Sequence, residues 1–277
     1  APPMKSLTYA SAQLLRVLPR ERITRIMGDL ADVRWPRPLE KAVLGAYCRA
    51  YDVALDECES PERWSSFDHF FTRRLREGAR PLASSTWISP SDGRLESPGE
   101  VTADSRYMVK GRPYRVEELV GDAAEAKRYV GGGGCVVYLS PRDYHRVHSP
   151  AAGKLVCVRS MPGDYYPVNS IGLDHVPNLF VRNRRVALAI DTEAHGRVTV
   201  VMVAAMVVGR ITVTGIDERD VPYGTFDVSV DLARGAELGM FHLGSTAVVF
   251  FEKKGFSRFV AKEGPVLMGQ ALAEGSA

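Results

Sequence analysis

Long apolar runs are missing from this chain. No stretch reaches the roughly 18 uninterrupted apolar residues of a membrane-spanning helix, and the opening residues show no succession of basic, apolar and small-residue regions. A soluble or peripheral protein is therefore expected. Cysteine is scarce: four in 277 residues, Cys48, Cys58, Cys135 and Cys157, with no C-x-x-C pair. Cys135 and Cys157 lie in apolar, strand-like runs where a thiol behaves as a small hydrophobe, so a reducing compartment and no metal site are expected. Charge of one sign is nearly balanced by the other, and a net +3 is too weak to argue for nucleic acid. There is no G-x-S-x-G, the turn that exposes the serine of α/β-hydrolases. The four glycines 131–134 lack a following Lys-Ser/Thr and precede a strand pattern, which excludes a phosphate loop and leaves a flexible loop as the expectation.

What is present can bury a full core: 45% of residues are hydrophobic and 9% aromatic. The basic excess sits at the front, where residues 1–49 hold nine Lys/Arg against four Asp/Glu. Within 6–31, Leu7, Leu14, Leu15, Leu18, Ile23, Ile26 and Leu30 alternate with Arg16, Arg20, Arg22 and Arg25, and Pro19 punctuates the run. This predicts two short amphipathic helices, the second starting near Pro19 and Glu21, with a third over Pro38–Val53. Such helices can lie on an anionic membrane surface or pack as a layer on a core, and the pattern fits both.

Residues 65–80 predict another helix, with Ser65 or Ser66 as cap, Phe67, Phe70, Phe71 and Leu75 on one face, Gly78 at its end, and His69 outside the face on the surface. Beyond about residue 86 the texture changes. Short β-branched runs, Cys135–Leu139, Lys154–Arg159, Val186–Ile190, Val198–Val208, Phe226–Val230 and Ala247–Phe251, alternate with Gly, Pro, Asp and Asn. The expected class is α+β: a helical N-terminal segment, 1–80, ahead of a β-rich sandwich- or barrel-like body, 81–277.

Three places carry candidate chemistry. In Phe241–Phe251 a small Gly244-Ser245-Thr246 step sits between apolar runs, leaving the Gly244 carbonyl and the Ser245 hydroxyl at the mouth of a strand, where a serine could attack its own backbone. By itself such a step is ordinarily a turn entering a core strand. In Ser89–Arg94, Asp92 stands between Ser91 and Gly93, a setting in which most aspartates bond their own turn. In Ser140–Pro150, His145 and His148 are three apart. They could pinch a metal, although no ligand cluster accompanies them, or one could be a base for a serine with a buried Asp fixing its tautomer.

These residues carry a resemblance. Asp92-Gly93, Lys110-Gly111 with Tyr114, Tyr138–His148, Pro162-Gly163, Val168-Asn169, Val176–Phe180 with Asn183, and Leu243–Thr246 together resemble the bacterial phosphatidylserine decarboxylases, in order from about residue 65 to 270. Phe70-Phe71 with Arg73, Leu75, Arg76 and Arg80-Pro81 resembles the segment preceding that family's catalytic body. Arg184, Ala204 and His175 depart from its pattern. The resemblance implies self-cleavage between Gly244 and Ser245, with Ser245 as nucleophile, His148 as its base, and Asp92 orienting His148. Ser245 would become a pyruvoyl group that forms a Schiff base with phosphatidylserine, giving phosphatidylethanolamine and carbon dioxide. His145, with an ordinary pKa near 6.5, is implied as proton donor. Also implied are a zymogen whose chains 1–244 and 245–277 stay associated, a homodimer, and peripheral attachment to the cytoplasmic face of a membrane. The alternatives are a serine hydrolase using Asp92, His148 and Ser245, a non-catalytic lipid-binding β module, and another pyruvoyl-dependent amino-acid decarboxylase.

Overall fold

A short continuous run of β-branched and aromatic residues bounded by glycine reads as a strand buried on both faces. The computed structural model, which describes residues 18–59, 63–206, 210–243 and 245–276, places Ser245–Phe251 inside an eight-stranded antiparallel sheet. Its neighbours are Gly196–Val203 and Gly133–Leu139; Ser245 stands opposite Leu139, and Thr246 opposite Tyr138 and Val203. Gly153–Met161, Arg185–Thr192 and Gly224–Leu232 extend the sheet on one side, and Gly93–Glu100 and Gly264–Val266 on the other. Phe250 and Phe251 are fully buried, each worth about 1.5–3 kcal/mol of apolar burial. Phe251 packs 5.0 Å from the ring of Trp87, whose indole N–H donates to the Gly255 carbonyl at 2.8 Å.

A smaller sheet orders Arg210–Val213, Glu237–His242 and Arg146–His148, and a third joins Trp87–Ile88, Ala271–Glu274 and Arg258–Phe259. The architecture is α+β, with helices concentrated toward the N-terminal part. Helix α1, Arg20–Asp32, starts after Pro19 as expected, and α2 spans Arg37–Tyr51. The expected helix before Pro19 falls largely outside the described residues. Helix α3, Phe67–Phe71, is capped by the Ser66 side chain but ends well before Gly78. Thr72 turns its hydroxyl back to the Asp68 carbonyl at 2.8 Å, and Leu75 pairs with Cys58 as a β-bridge.

Two further expectations change. The strand Gly93–Glu100 is polar and contains Pro98, so period and propensity miss it, and a bulge between Glu96 and Gly99 absorbs the irregularity. Gly133 and Gly134 begin a strand instead of lying in a flexible loop, because a Cβ on Gly134 would meet the Tyr107 ring at 2.9 Å.

Helix α1 is fixed to the body at both ends. Arg20 forms a bidentate ion pair with Asp164 at 2.7 and 2.6 Å, and Asp32 takes Arg210 and Arg219, each at 2.5 Å. Thr24 and Ala31 face inward, while Ile26, Met27, Leu30 and Val33 are exposed, as is Leu39 of α2. Among the described residues no helix is long and apolar enough to cross a membrane.

Candidate active site

The pairing of three strands gathers the candidate residues at one end of the large sheet. Ser245 begins its strand opposite Leu139; on the far side of that neighbour, Arg94 pairs with Tyr138, so Asp92 lies just beyond the same end. The His148 backbone N–H donates to the Pro90 carbonyl at 2.7 Å, tying its strand to the turn that holds Asp92. Gly244 and the Ser245 side chain lie outside the described residues. Leu243, immediately before them, is buried with φ +86°.

The two histidines differ sharply. His148 is bonded at both ring nitrogens. Its Nδ1–H donates to the Gly235 carbonyl at 2.8 Å, leaving Nε2 to accept the Tyr144 hydroxyl at 2.9 Å. Burial lowers its pKa, against the pull of the Gly235 carbonyl and the negative charges of Glu237 and Asp92. The expected Asp92–His148 hydrogen bond is absent from both residues' contacts. Asp92 instead holds Arg80 through a bidentate pair at 3.0 and 2.7 Å and accepts the Met268 backbone N–H at 2.8 Å. The carbonyl of Gly235, not a carboxylate, fixes the His148 tautomer. Asp92 acts on that ring through its field.

His145 is completely buried. Its Nδ1–H donates to the Asp143 carbonyl at 2.7 Å, and its Nε2 has no hydrogen-bond partner among the described residues. The ring packs 4.1 Å from that of Phe71. Burial, reinforced by the positive charge of Arg73, pushes its pKa down to about 3. His145 is thus held neutral at physiological pH, well below the ordinary pKa near 6.5 expected of it. Arg73 holds the same turn by donating to the carbonyls of Arg142 and Asp143 at 2.8 and 3.2 Å.

Beside these residues opens an apolar cavity of about 600 Å³. Leu30 of α1, Tyr47 and Tyr51 of α2 and Phe71 of α3 form one wall, and Leu139 and Leu243, opposite and near Ser245, form part of the other. Asn183 shapes the rim. Its side chain accepts from the Tyr166 N–H at 2.9 Å and donates to the carbonyls of Tyr166 and Ala204, fixing the turn that leads to Pro167 and Val168. Of the departures from the family pattern, Arg184 has its own partner in Asp220 at 2.8 Å.

Sequence reasoning missed Tyr144, Arg80, Asp68 and His242. Tyr144 and Arg80 lay inside quoted motifs without roles. Asp68 and His242 meet across 174 positions, the imidazole Nδ1 lying 2.8 Å from the carboxylate, and no local pattern signals such a pair.

The comparisons with known proteins agree in one direction. The model of the phosphatidylserine decarboxylase family matches residues 67–274. The phosphatidylserine decarboxylase proenzyme of Delftia acidovorans is 37% identical over 270 residues, covering 93% of this chain and 94% of that one. Those of Acinetobacter baumannii strain AYE and Psychrobacter arcticus are each 37% identical as well, over 97% and 94% of this chain and 96% of theirs.

Proposed function

This chain belongs to the phosphatidylserine decarboxylase family, and on that premise we propose that it is a self-processing enzyme that converts phosphatidylserine to phosphatidylethanolamine and carbon dioxide. The observation that carries the reading is the apolar cavity reaching Leu243 and Leu139, roofed by helices that also expose Ile26 and Leu39 away from it. A soluble amino acid has no use for such a wall; a lipid tail does. Ser245 attacks the Gly244 carbonyl, and His148 takes the hydroxyl proton at Nε2 once Tyr144 yields that position. The field of Asp92 favours the protonated ring that results.

A strand-initial serine two residues from the wall of an apolar cavity suits conversion to a pyruvoyl group. That group supplies a ketone that binds the substrate amine and accepts the electrons released as carbon dioxide leaves. His145, whose Nε2 has no hydrogen-bond partner among the described residues, is the residue we assign to protonating the carbon that lost its carboxylate, after gaining from solvent the proton that the fold otherwise keeps off its ring. The cleaved chains stay together, because Ser245–Phe251 remains paired on both sides and Gly264–Val266 and Ala271–Glu274 pair with strands of the larger chain.

The basic front and the exposed apolar residues of α1 and α2 support peripheral attachment to the cytoplasmic face of a membrane. Removal of residues 1–30 then weakens binding to anionic liposomes and lessens its salt dependence. A homodimer is proposed on family likeness alone, and sedimentation tests it. For the chemistry, borohydride reduction with phosphatidylserine should trap a lipid adduct on chain 245–277, and Ser245→Ala should give neither cleavage nor adduct. A fully active wild-type preparation consisting only of uncut chain would overturn the reading.

A further inference from the structure

Leu243 is the one apolar residue among the non-glycine residues with positive φ in the described structure; the others are Asp52, Ser97, Ser105, Lys110 and Asn178. Asp and Asn tolerate such turns through local hydrogen bonds of their side chains, which leucine lacks, and the left-handed region brings its Cβ against the following carbonyl. The conformation persists where both flanks over-determine it. On one flank His242 ends a strand, and its ring is bonded at both nitrogens. Nδ1 lies 2.8 and 3.0 Å from the two Asp68 carboxylate oxygens, and Nε2 lies 2.7 Å from the Thr212 hydroxyl. Asp68 is buried and also takes Arg219 at 2.7 Å; the bonds from His242 and Arg219 outweigh its burial and keep its carboxyl below the usual range. On the other flank the sheet holds Ser245 against Leu139 and Thr246 between two strands. Only Leu243 and Gly244 span the interval, and the Leu243 side chain is buried in the cavity wall.

We propose that His242, anchored by Asp68, is a positioning residue for self-cleavage, holding Leu243 in a strained left-handed conformation that relaxes as the chain is cut. The inference rests on Ser245 being the residue that attacks Gly244. In that step the Ser245 oxygen bonds to the Gly244 carbonyl carbon, the Gly244–Ser245 C–N bond breaks, and the hydroxyl proton ends on the serine nitrogen, so no atom is gained or lost. The path from the Gly244 carbonyl carbon to the Ser245 Cα previously ran through one nitrogen. It now runs through Oγ and Cβ, one atom longer. That slack falls within the pinned interval, so strain present before the reaction is relieved during it and lowers the barrier.

A pair of substitutions isolates the backbone from the side chain. Leu243→Ala and Leu243→Gly both remove the leucine side chain, but only glycine accepts positive φ without strain. In freshly translated full-length chain, followed by the appearance of chain 245–277 in intact mass spectra, Leu243→Ala should cleave about tenfold faster than Leu243→Gly. Adding His242→Ala to both should bring the ratio toward one, and His242→Asn, which keeps a donor for Asp68, should restore it. Should both truncations fail to fold by circular dichroism, Leu243→Met against Leu243→Asn provides the same contrast with bulk retained. A ratio at or below one in the otherwise unaltered chain overturns the proposal, as does a tenfold ratio that survives His242→Ala. A wild-type chain that never cuts at Gly244–Ser245 would instead strike the Ser245 assignment itself.

Discussion

His145 and His148 stand three residues apart and are both buried, yet they are prepared for different work. His148 is bonded at both nitrogens, to the Gly235 carbonyl and the Tyr144 hydroxyl, and has Asp92 and Glu237 as nearby negative charge. His145 has one bonded nitrogen, one without a partner among the described residues, an aromatic ring against its face, and the positive charge of Arg73 nearby. The difference teaches that the residue type sets only the range of chemistry. A ring whose burial penalty is opposed by neighbouring carboxylates suits a base that must hold a proton while an amide breaks. A ring kept neutral suits brief acceptance and return of a proton.

The largest effect should come from His148. His148→Ala should slow self-cleavage by about 10³-fold or more, because Ser245 loses its base; the rate of appearance of chain 245–277 measures this. Cleavage at an unchanged rate would erase the distinction between the two rings. His145→Gln should leave cleavage within a few-fold of wild type but reduce decarboxylation of phosphatidylserine by about 10²–10⁴-fold, read as carbon dioxide released per cleaved chain. Asp92→Asn should slow cleavage by only about tenfold, because Gly235 already fixes the His148 tautomer and only the field is lost. A loss as large as that from His148→Ala would mean that the carboxylate reaches the ring directly during the reaction.

The smallest effect concerns stability. Because the folded protein keeps His145 neutral down to about pH 3, the unfolded chain alone takes up that proton as pH falls below 6.5. Stability from this group is therefore present above pH 6.5 and is lost progressively toward pH 3. Between pH 6.5 and 5 the loss should be about 1.5 kcal/mol, or roughly 3–6 °C in melting temperature, and His145→Gln should recover most of it. Equal pH dependence in the two proteins would contradict the buried, neutral assignment.

What the sequence made legible was local. The apolar run Ala247–Phe251 and the stripe of α1 announced themselves because burial on both faces or on one face leaves a compositional trace. The polar strand Gly93–Glu100 left none, since its pairing depends on neighbours and a bulge. At the site, Asp92, His145, His148 and Ser245 were picked out by local pattern and given roles by a family likeness, but their surroundings were not readable. The Gly235 carbonyl lies 87 positions from the ring it orients, and Asp68 lies 174 from His242; chain topology decides such meetings. The pKa of His145 was misjudged for the same reason, because an ordinary value assumes water and the fold supplies Phe71 and Arg73.

The central claim is that Ser245 is consumed in making the group that performs the decarboxylation. The mass of the small chain, measured in an active preparation without any label or substrate, tests it most directly. The account predicts residues 245–277 lighter by one ammonia than the 33-residue chain beginning with serine, and closed to stepwise degradation from its N-terminus. A small chain with an intact serine amine in fully active enzyme would contradict it.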